Sequence, residues 1–364
     1  MKFTTNSKTI YDLVHNISHS LPKSTTRPIL QNVNIEAANG SLKISGTDHE
    51  TEARVTINDV IIKEEGKALI QGFNFVNVLR EIGSADMSAE SDEENLVITT
   101  DKAHFVLKGT NPEEYSGLEA ETTVKEYTVK GKVLLELLRK GSFAANREIK
   151  QVATDGALLD LSESTISVIS TDGKRLAKGT KKTETIEEAA QVILPQKTCG
   201  AILRFFSGDD EIRLKLSENT ITVEKENVTF VSRLINGKFP EYSQVIPQDK
   251  GTQVTVNKEN LLHVLRQVMA MLEGEHIGIY MDVDKNMIRL SSDSVQSGKG
   301  ESETEAGVTG EAVRKKINSS YLGDVIKAYD SEEVTFEIYQ GNMPLKFREG
   351  KEFVYLLMPL METG

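Results

Sequence analysis

One strand-then-helix phrase opens this chain three times. It reads Lys2-Phe3-Thr4-Thr5 before Lys8-Thr9-Ile10-Tyr11-Asp12-Leu13-Val14, then Glu126-Tyr127-Thr128-Val129 before Lys132-Val133-Leu134-Leu135-Glu136-Leu137-Leu138. The third copy is Gln253-Val254-Thr255-Val256 before Lys258-Glu259-Asn260-Leu261-Leu262-His263-Val264-Leu265. Each is a short alternating strand followed by apolar residues at helical spacing. A second phrase recurs halfway through each unit. Its copies are Ala68-Leu69-Ile70 with a helix over 75–82, Val192-Ile193-Leu194 with one over 198–206, and Lys316-Ile317-Asn318 with one over 321–329. From Ile70 to Leu194 is 124 residues and from Leu194 to Ile317 is 123, so the two phrases keep step. Solenoid periods run only about 20–50 residues. The spacing therefore predicts three copies of one domain, each built from two half-copies, and makes a symmetric assembly the first idea to test.

A length of 364 residues accommodates three domains, each large enough to bury its own core. A Pro-, Glu- and Thr-rich stretch over 111–123 and a short polar one over 247–252 read as linkers. They set the expected domains at 1–123, 124–250 and 251–364. Between the helices the chain reads as hairpins. Val33-Asn34-Ile35-Glu36 turns at Asn39-Gly40 into Leu42-Lys43-Ile44-Ser45. The pattern repeats at 158–161 with 166–169 and at 279–283 with 287–291 around Asp284-Lys285-Asn286. The second half-units carry 96–99 with 105–107 and 221–223 with 230–232. Each half is thus β-α-β-β-β, and two halves make an α+β domain of two sheets with helices on one side. The acidic runs at 184–188 and 301–305 read as exposed loops.

Composition narrows the setting. Cys199 is the single cysteine, which excludes a disulfide framework and fits a reducing cytoplasm. No apolar run approaches the roughly 18 residues of a membrane span, and no basic-then-apolar segment opens the chain. A soluble, cytoplasmic protein without a membrane partner is expected. The formal charge of −12 argues against a nucleic-acid partner until its distribution is read. The helical windows 8–23, 72–82, 131–147, 196–206, 257–272 and 316–329 together carry +8, leaving −20 on the rest. Lys and Arg favour helices anyway, but the bias recurs across the set of windows. Helices sharing one face would make that face basic on an acidic molecule.

Catalytic chemistry finds no footing. Cys199 sits on a helix with no neighbouring His and reads as a buried structural residue. His15, His19, His49, His104, His263 and His276 are scattered, and no HExxH or CxxC spacing exists. His15 and His19 lie four apart on one helix, but no further ligands cluster there, so they read as surface residues. Asp172-Gly173-Lys174 lacks the preceding glycine pattern of a phosphate loop. Asp155 and Asp172 lack the apolar setting that tunes an acid–base pair. No cofactor, metal or turnover is expected.

Four motifs in order carry a resemblance. Ser170-Thr171-Asp172-Gly173-Lys174-Arg175-Leu176-Ala177 resembles the T-D-G/S-H-R-L-A signature of the bacterial sliding clamp family, the beta subunit of DNA polymerase III. Pro28-Ile29-Leu30 with Gly46-Thr47-Asp48 is similar to its amino-terminal P-I-L…T-D, and Asn236-Gly237-Lys238-Phe239-Pro240-Glu241-Tyr242 to its D-G-R-F-P-D-Y. Tyr355-Leu356-Leu357-Met358-Pro359-Leu360 resembles its Y-V-V-M-P-M ending. The likeness spans the whole chain in register with the triplication.

The resemblance implies a head-to-tail homodimer, a ring of six clamp domains with sheets outside and helices lining the hole. It implies a processivity factor that encircles double-stranded DNA without reading sequence. Short Gln-x-x-Leu-Phe-like peptides of the replicative polymerase, the clamp loader and repair factors would bind between the second and third domains. Matching DNA-facing positions are Lys23, Arg80, Lys132, Arg139, Lys197, Arg204 and Lys258. Matching pocket positions are Thr171, Gly173, Lys174, Arg175 and Leu176, then Pro240, Gln244 and Val245, then Leu356, Leu357, Met358, Pro359 and Leu360. Phe105, Met271 and Leu272 match the apolar ring joint, with Lys102 and His104 expected to face Glu301, Glu303 and Glu305.

The chain departs from the family in places. Lys174 stands for the usual His, Gln244 for a frequent Arg, and Gln151 and Thr154 for an Arg and a large apolar residue, which implies a more polar pocket. Ser24 and Phe73 stand where some members place a DNA-contacting Arg, which implies a weaker grip. A tail, Met361-Glu362-Thr363-Gly364, runs past the usual ending. A three-domain scaffold that binds peptides without encircling DNA is the rival reading, and an enzyme centred on Asp172 comes third.

Overall fold

The computed structural model describes residues 1–118, 125–145, 154–184, 186–272, 277–294 and 298–361. Gln151, His276 and most of the carboxy-terminal tail lie outside the described residues, as does the expected boundary at 123.

The half-unit written in the sequence recurs six times. The first is β1 (Lys2–Asn6), α1 (Ser7–Ser18), β2 (Asn32–Ala38), β3 (Ser41–Thr47) and β4 (Thr51–Ile57), trailed by a short β5 (Ile61–Glu64). The second is β6 (Gly66–Gln71), α2 (Gly72–Ile82), β7 (Asp86–Asp92), β8 (Asn95–Thr99) and β9 (His104–Leu107), with β10 (Gly109–Thr110). The third is β11 (Lys125–Lys130), α3 (Gly131–Gly141), β12 (Gly156–Ser162), β13 (Thr165–Thr171) and β14 (Arg175–Lys182). The fourth is β15 (Ala190–Pro195), α4 (Gln196–Phe205), β16 (Glu211–Leu216), β17 (Thr220–Lys225) and β18 (Val228–Arg233). The fifth is β19 (Thr252–Asn257), α5 (Lys258–Met269), β20 (Gly278–Asp284), β21 (Met287–Ser294) and β22 (Gly298–Glu305), with β23 (Gly307–Thr309). The sixth is β24 (Val313–Asn318), α6 (Ser319–Ala328), β25 (Glu333–Ile338), β26 (Leu345–Glu349) and β27 (Phe353–Leu357).

Local chemistry explains the switch from strand to helix. The last strand residue caps the helix: the side chains of Asn6, Gln71, Asn257 and Asn318 accept backbone N–H groups of α1, α2, α5 and α6. Apolar spacing then sets the buried face, as in α1 with Ile10, Val14 and Ile17 and in α5 with Leu261, Leu265 and Val268. Burying each such side chain is worth roughly 1.5–3 kcal/mol. The first hairpin turns through Asn39 and Gly40, both left-handed at φ 51° and 71°, the backbone that a tight two-residue turn needs.

The chain clusters into two compact units. One holds Met1–Leu135 and Lys197–Leu234, the other Glu136–Gln196 and Ile235–Gly364. The first unit contains a five-stranded sheet, β5-β1-β7-β8-β9, and a nine-stranded one, β10-β6-β2-β3-β4-β18-β17-β16-β11. The second contains a nine-stranded sheet, β15-β12-β13-β14-β27-β26-β25-β19-β23, and a four-stranded one, β22-β21-β20-β24. Two compact units arise from three sequence repeats because sheets run across the repeats. β4 pairs antiparallel with β18, Val55 opposite Val228, and β14 pairs with β27, Leu176 opposite Leu356. In both junctions the last strand of a first half-unit joins the last strand of the next repeat's second half-unit. By the same rule β22 and β9 are the two strands left over, and each is an unpaired sheet edge among the described residues.

The acidic run at 301–305 is a strand, not the expected loop. Its glutamates point outward while Thr304 is buried, the period-two pattern of β22 at a sheet edge. Charge on an edge strand guards it against indiscriminate pairing. Among the described residues no helix is long and apolar enough to cross a membrane.

Candidate peptide groove and nucleic-acid interface

The turn between β13 and β14 is the keystone of the second unit. Thr171 donates its hydroxyl to the Arg175 carbonyl at 2.7 Å, and Asp172 Oδ1 accepts the N–H groups of Lys174 and Arg175 at 2.9 and 3.0 Å. Gly173 supplies the left-handed φ of 81°. The turn delivers the Arg175 side chain inward, where the residue is only 4% exposed. Its Nε donates to Asp172 Oδ2 at 3.0 Å and its Nη1 to Asp324 Oδ2, on α6, at 2.7 Å. The guanidinium lies over the Tyr321 ring, 4.0 Å from its centroid. Burial opposes the charge, but Tyr355, Asp324 and Asp172 outweigh it and hold the group above its ordinary pKa. Asp172 is thereby spent on structure.

Beside this turn opens a groove of about 680 Å³. Its floor is a small apolar cluster of Leu158, Ile169, Leu176, Ile193, Phe239 and Leu356. Of the expected pocket residues, Thr171, Gly173, Arg175, Leu176, Pro240, Val245, Leu356 and Met358 line it. Thr154, read from the sequence as a polar departure in the pocket, lines it too, as do Glu241, Tyr242, Asn342, Met343 and Pro344, which were not singled out as pocket residues. Tyr242 stood inside a quoted motif. The 342–344 wall follows from register: Leu345 lies opposite Leu357, so the residues before β26 stand beside those after β27.

Five expected pocket residues lie outside the lining. Strand alternation sends Leu357 to the opposite face, fully buried in the main core with Tyr355 and Phe347. Leu360 bonds through its N–H to the Lys316 carbonyl at 2.7 Å, and Pro359 precedes it. Gln244 is exposed in the 243–245 turn. Lys174 contributes its carbonyl to the Met358 N–H at 2.9 Å, while its side chain borders a different cavity.

The six helices as folded carry a net +5, leaving −17 elsewhere, because α1 and α3 end earlier than expected and Lys316 belongs to β24. Several of the expected DNA-facing cations have protein partners. Arg80 meets Glu81 at 3.1 Å and Arg139 meets Asp330 at 2.7 Å. Lys197 pairs with Asp48, and Lys258 Nζ donates to the Tyr329 carbonyl at 2.6 Å. Lys23, just past α1, and Lys132 and Arg204 are exposed and have no ion pair among the described residues. Near Lys23 and Arg204, His15 packs its ring between Tyr11 and His19, at 5.6 and 5.2 Å. Burial, then Arg204, His15 and Lys23, hold His19 below its ordinary pKa, so it adds no charge at neutral pH.

At the unpaired edge of β9, Phe105 is half-buried and Val106 is 56% exposed. Met271 lies beside Gly300 of β22, whereas Leu272 packs against the core of the second unit. Glu301 and Glu303 pair with Arg289 at 2.9 and 3.0 Å.

Comparison with known proteins places the chain in one family. Models of the DNA polymerase III beta subunit match in order: the N-terminal domain over residues 1–119, the central domain over 128–241 and the C-terminal domain over 243–361. The beta sliding clamp of Chlamydia muridarum is 26% identical over 362 residues, covering 99% of both chains. That of Staphylococcus aureus is 25% identical over 373 residues, again 99% of both. Among solved structures, a putative DNA polymerase III beta subunit from Eubacterium rectale superposes with a TM-score of 0.91 at 24% identity, covering 100% of each chain. A Pseudomonas aeruginosa sliding clamp bound to griselimycin does so at 0.91 and 22%, covering 99% of each.

Proposed function

The chain belongs to the DNA polymerase III beta-subunit family, and from that premise we propose how it works as a sliding clamp. It is a non-catalytic processivity factor that holds DNA and tethers the polymerase and other partners through short peptide motifs. Two copies join head to tail through the leftover strands, β22 of one and β9 of the other. This continues the rule already used at β4·β18 and β14·β27, and it adds the five- and four-stranded sheets into a third nine-stranded one. That repeated junction is the observation that carries the reading. Phe105, Met271 and the exposed Val106 supply apolar contact at the joint, and Leu272 supports it from the core side. The family domains are taken as 1–123, 124–250 and 251–364.

Within the ring the helices face duplex DNA. Lys23, Lys132 and Arg204 are free to meet phosphates, while Arg80, Arg139, Lys197 and Lys258 must share or exchange their protein partners to do so. Phosphate contacts of this kind hold without reading sequence. The groove takes the partner peptide. Leu176, Val245, Leu356 and Met358 receive its apolar anchors, methionine adapts to varied ligands, and Thr171 and Thr154 give polar purchase. Work on chromosomal or plasmid DNA places the protein in the cytoplasm.

Solution mass and DNA topology test this together. A dimer of twice the 40.3 kDa chain, retained on nicked circular plasmid after loading and lost when the plasmid is linearised, is the expected result. A monomer indifferent to DNA ends would overturn it in favour of a peptide-binding scaffold.

A further inference from the structure

Three lysines are buried among the described residues, and one of them has no acid beside it. Lys140 meets Glu349 at 2.5 Å and Lys346 meets Glu337 at 2.9 Å, whereas no carboxylate of the described residues pairs with Lys315. We propose that Lys315 is a positioning residue for the peptide groove: its amine holds the Gly341 carbonyl and so fixes the wall formed by Asn342, Met343 and Pro344. This rests on reading the groove as the peptide site, and it adds a residue outside the lining that sets the affinity.

Lys315 stands between Val313 and Ile317 on one face of β24, and both neighbours are core residues. The pattern calls for an apolar side chain at that position. The lysine is only 6% exposed, and burial pushes its amine below the ordinary lysine value. Stability therefore gives no reason for the charge. The acceptor that the amine reaches is the carbonyl of Gly341.

The segment 340–344 joins β25 to β26, and the ladder between those strands is confined to Phe336–Phe347 and Glu337–Lys346. Sheet pairing does not hold it. Gly341 turns the chain at a left-handed φ of 65°. Outside that turn, the hydrogen bonds that the described residues give the segment both come from one side. Gln340 Nε2 donates to the Ala312 carbonyl at 3.1 Å, at the surface, and Lys315 donates to Gly341 from beneath. The second bond is charge-assisted and partly buried, which makes it the stronger tether. The next three residues, Asn342, Met343 and Pro344, line the groove. A wall fixed before the peptide arrives spares binding the cost of ordering it.

Lys315→Met separates this role from a structural one. It removes a buried charge and sets a flexible apolar side chain on a core-facing position, so the melting temperature of the second unit should hold or rise. Affinity should move the other way. Without one charge-assisted hydrogen bond the wall is in place about a tenth of the time, so a labelled Gln-Ala-Ala-Leu-Phe peptide should bind roughly tenfold more weakly by fluorescence polarisation. Met343→Ala should weaken binding in the wild type and add little in the Lys315→Met background, where the wall is already displaced. An unchanged affinity in Lys315→Met overturns the tether. So does a melting temperature that falls with the affinity, or a Met343→Ala effect equal in both backgrounds. Each of these leaves the groove standing as the peptide site. A wild type that does not bind the peptide overturns the groove and the tether together.

Discussion

Replacing Arg175 with methionine keeps an unbranched apolar stem and removes the guanidinium, with its charge, its donors and its stacking on Tyr321. The cost follows from what is left behind. Asp172, whose side chain is 8% exposed, keeps its two backbone N–H donors but loses its cation. Asp324, 31% exposed, loses its cation and recovers part of that loss from water. Removing one partner of a buried pair costs about 3–5 kcal/mol, and the partial hydration of Asp324 argues for the lower end. Stacking on Tyr321 adds up to about 1 kcal/mol. A net loss of ~3 kcal/mol should lower the melting temperature of the second unit by roughly 6–12 °C, at ~2–4 °C per kcal/mol for a unit of 150–250 residues. Scanning calorimetry reads this as a shift of one component, since two compact units need not melt as one. Lysine should rescue little, because a point charge cannot reach both carboxylates in the guanidinium geometry. Asp324→Asn in the Arg175→Met background should recover stability, because it removes an uncompensated charge. A shift under about 2 °C, or an Asp324→Asn change that destabilises further, would refute the claim that this arginine acts by pairing with both carboxylates.

Other substitutions separate the remaining parts of the mechanism. Val106→Asp puts a charge on the exposed edge of β9 and should give monomers at micromolar concentration with an unchanged melting temperature; sedimentation reads it, and a persisting dimer would move the joint elsewhere. Charged residues at Met271 and Leu272 should also dissociate the dimer, but Leu272 belongs partly to the core, so unfolding would accompany that change. Tyr242→Ala removes an aromatic wall of the groove and should weaken peptide binding by about 2 kcal/mol, near thirtyfold by fluorescence polarisation; an affinity within twofold would exclude Tyr242 from the contact. Lys140, 6% exposed, binds Glu349 and Asp330 at 2.5 and 2.8 Å. Burial pushes both carboxyls up, yet Lys140, helped by Arg139 at Asp330 and by Ser331 at Glu349, outweighs it and holds them below their ordinary values. A depressed folded pKa stabilises above the unfolded value and that gain is lost as pH falls through the folded one. Lys140→Met should therefore cost about 3 kcal/mol at neutral pH, with a flatter loss below the ordinary carboxylate range; an acid limb identical to wild type would exclude this cluster.

The sequence made the half-unit legible because strand and helix recur six times, and errors in one copy are corrected by the others. Hairpins were legible where Asn39-Gly40 or Asp284-Lys285-Asn286 marks the turn. Sheet partners across repeats were not, since nothing in β4 or β14 names a strand far along the chain. Lys197 and Arg139 read equally well as DNA contacts or ion-pair partners until Asp48 and Asp330 are seen beside them. The groove was legible along its own strands and illegible at 342–344, where only the β26–β27 register supplies the wall. Period two, applied to β22, would have turned the acidic run from a loop into a strand.

One residue separates the turn beside the groove from its counterpart at the other junction. The turn Thr47–Thr51 repeats Thr171–Arg175 bond for bond. Thr47 donates to the Thr51 carbonyl at 2.8 Å, and Asp48 Oδ1 accepts the N–H groups of Glu50 and Thr51 at 3.0 and 2.7 Å. His49 even holds the left-handed φ of 68° that Gly173 holds in the other copy. The copies part at the last position. Thr51 is short, donates its hydroxyl back to Asp48 at 3.0 Å, and leaves Asp48 to pair with Lys197. Arg175 is long, reaches past Asp172 to Asp324 and Tyr321, and so walls both the peptide groove and the separate cavity that Lys174 borders. A duplicated turn thus keeps its backbone as scaffolding in both places, and function enters where a side chain outgrows the turn that carries it.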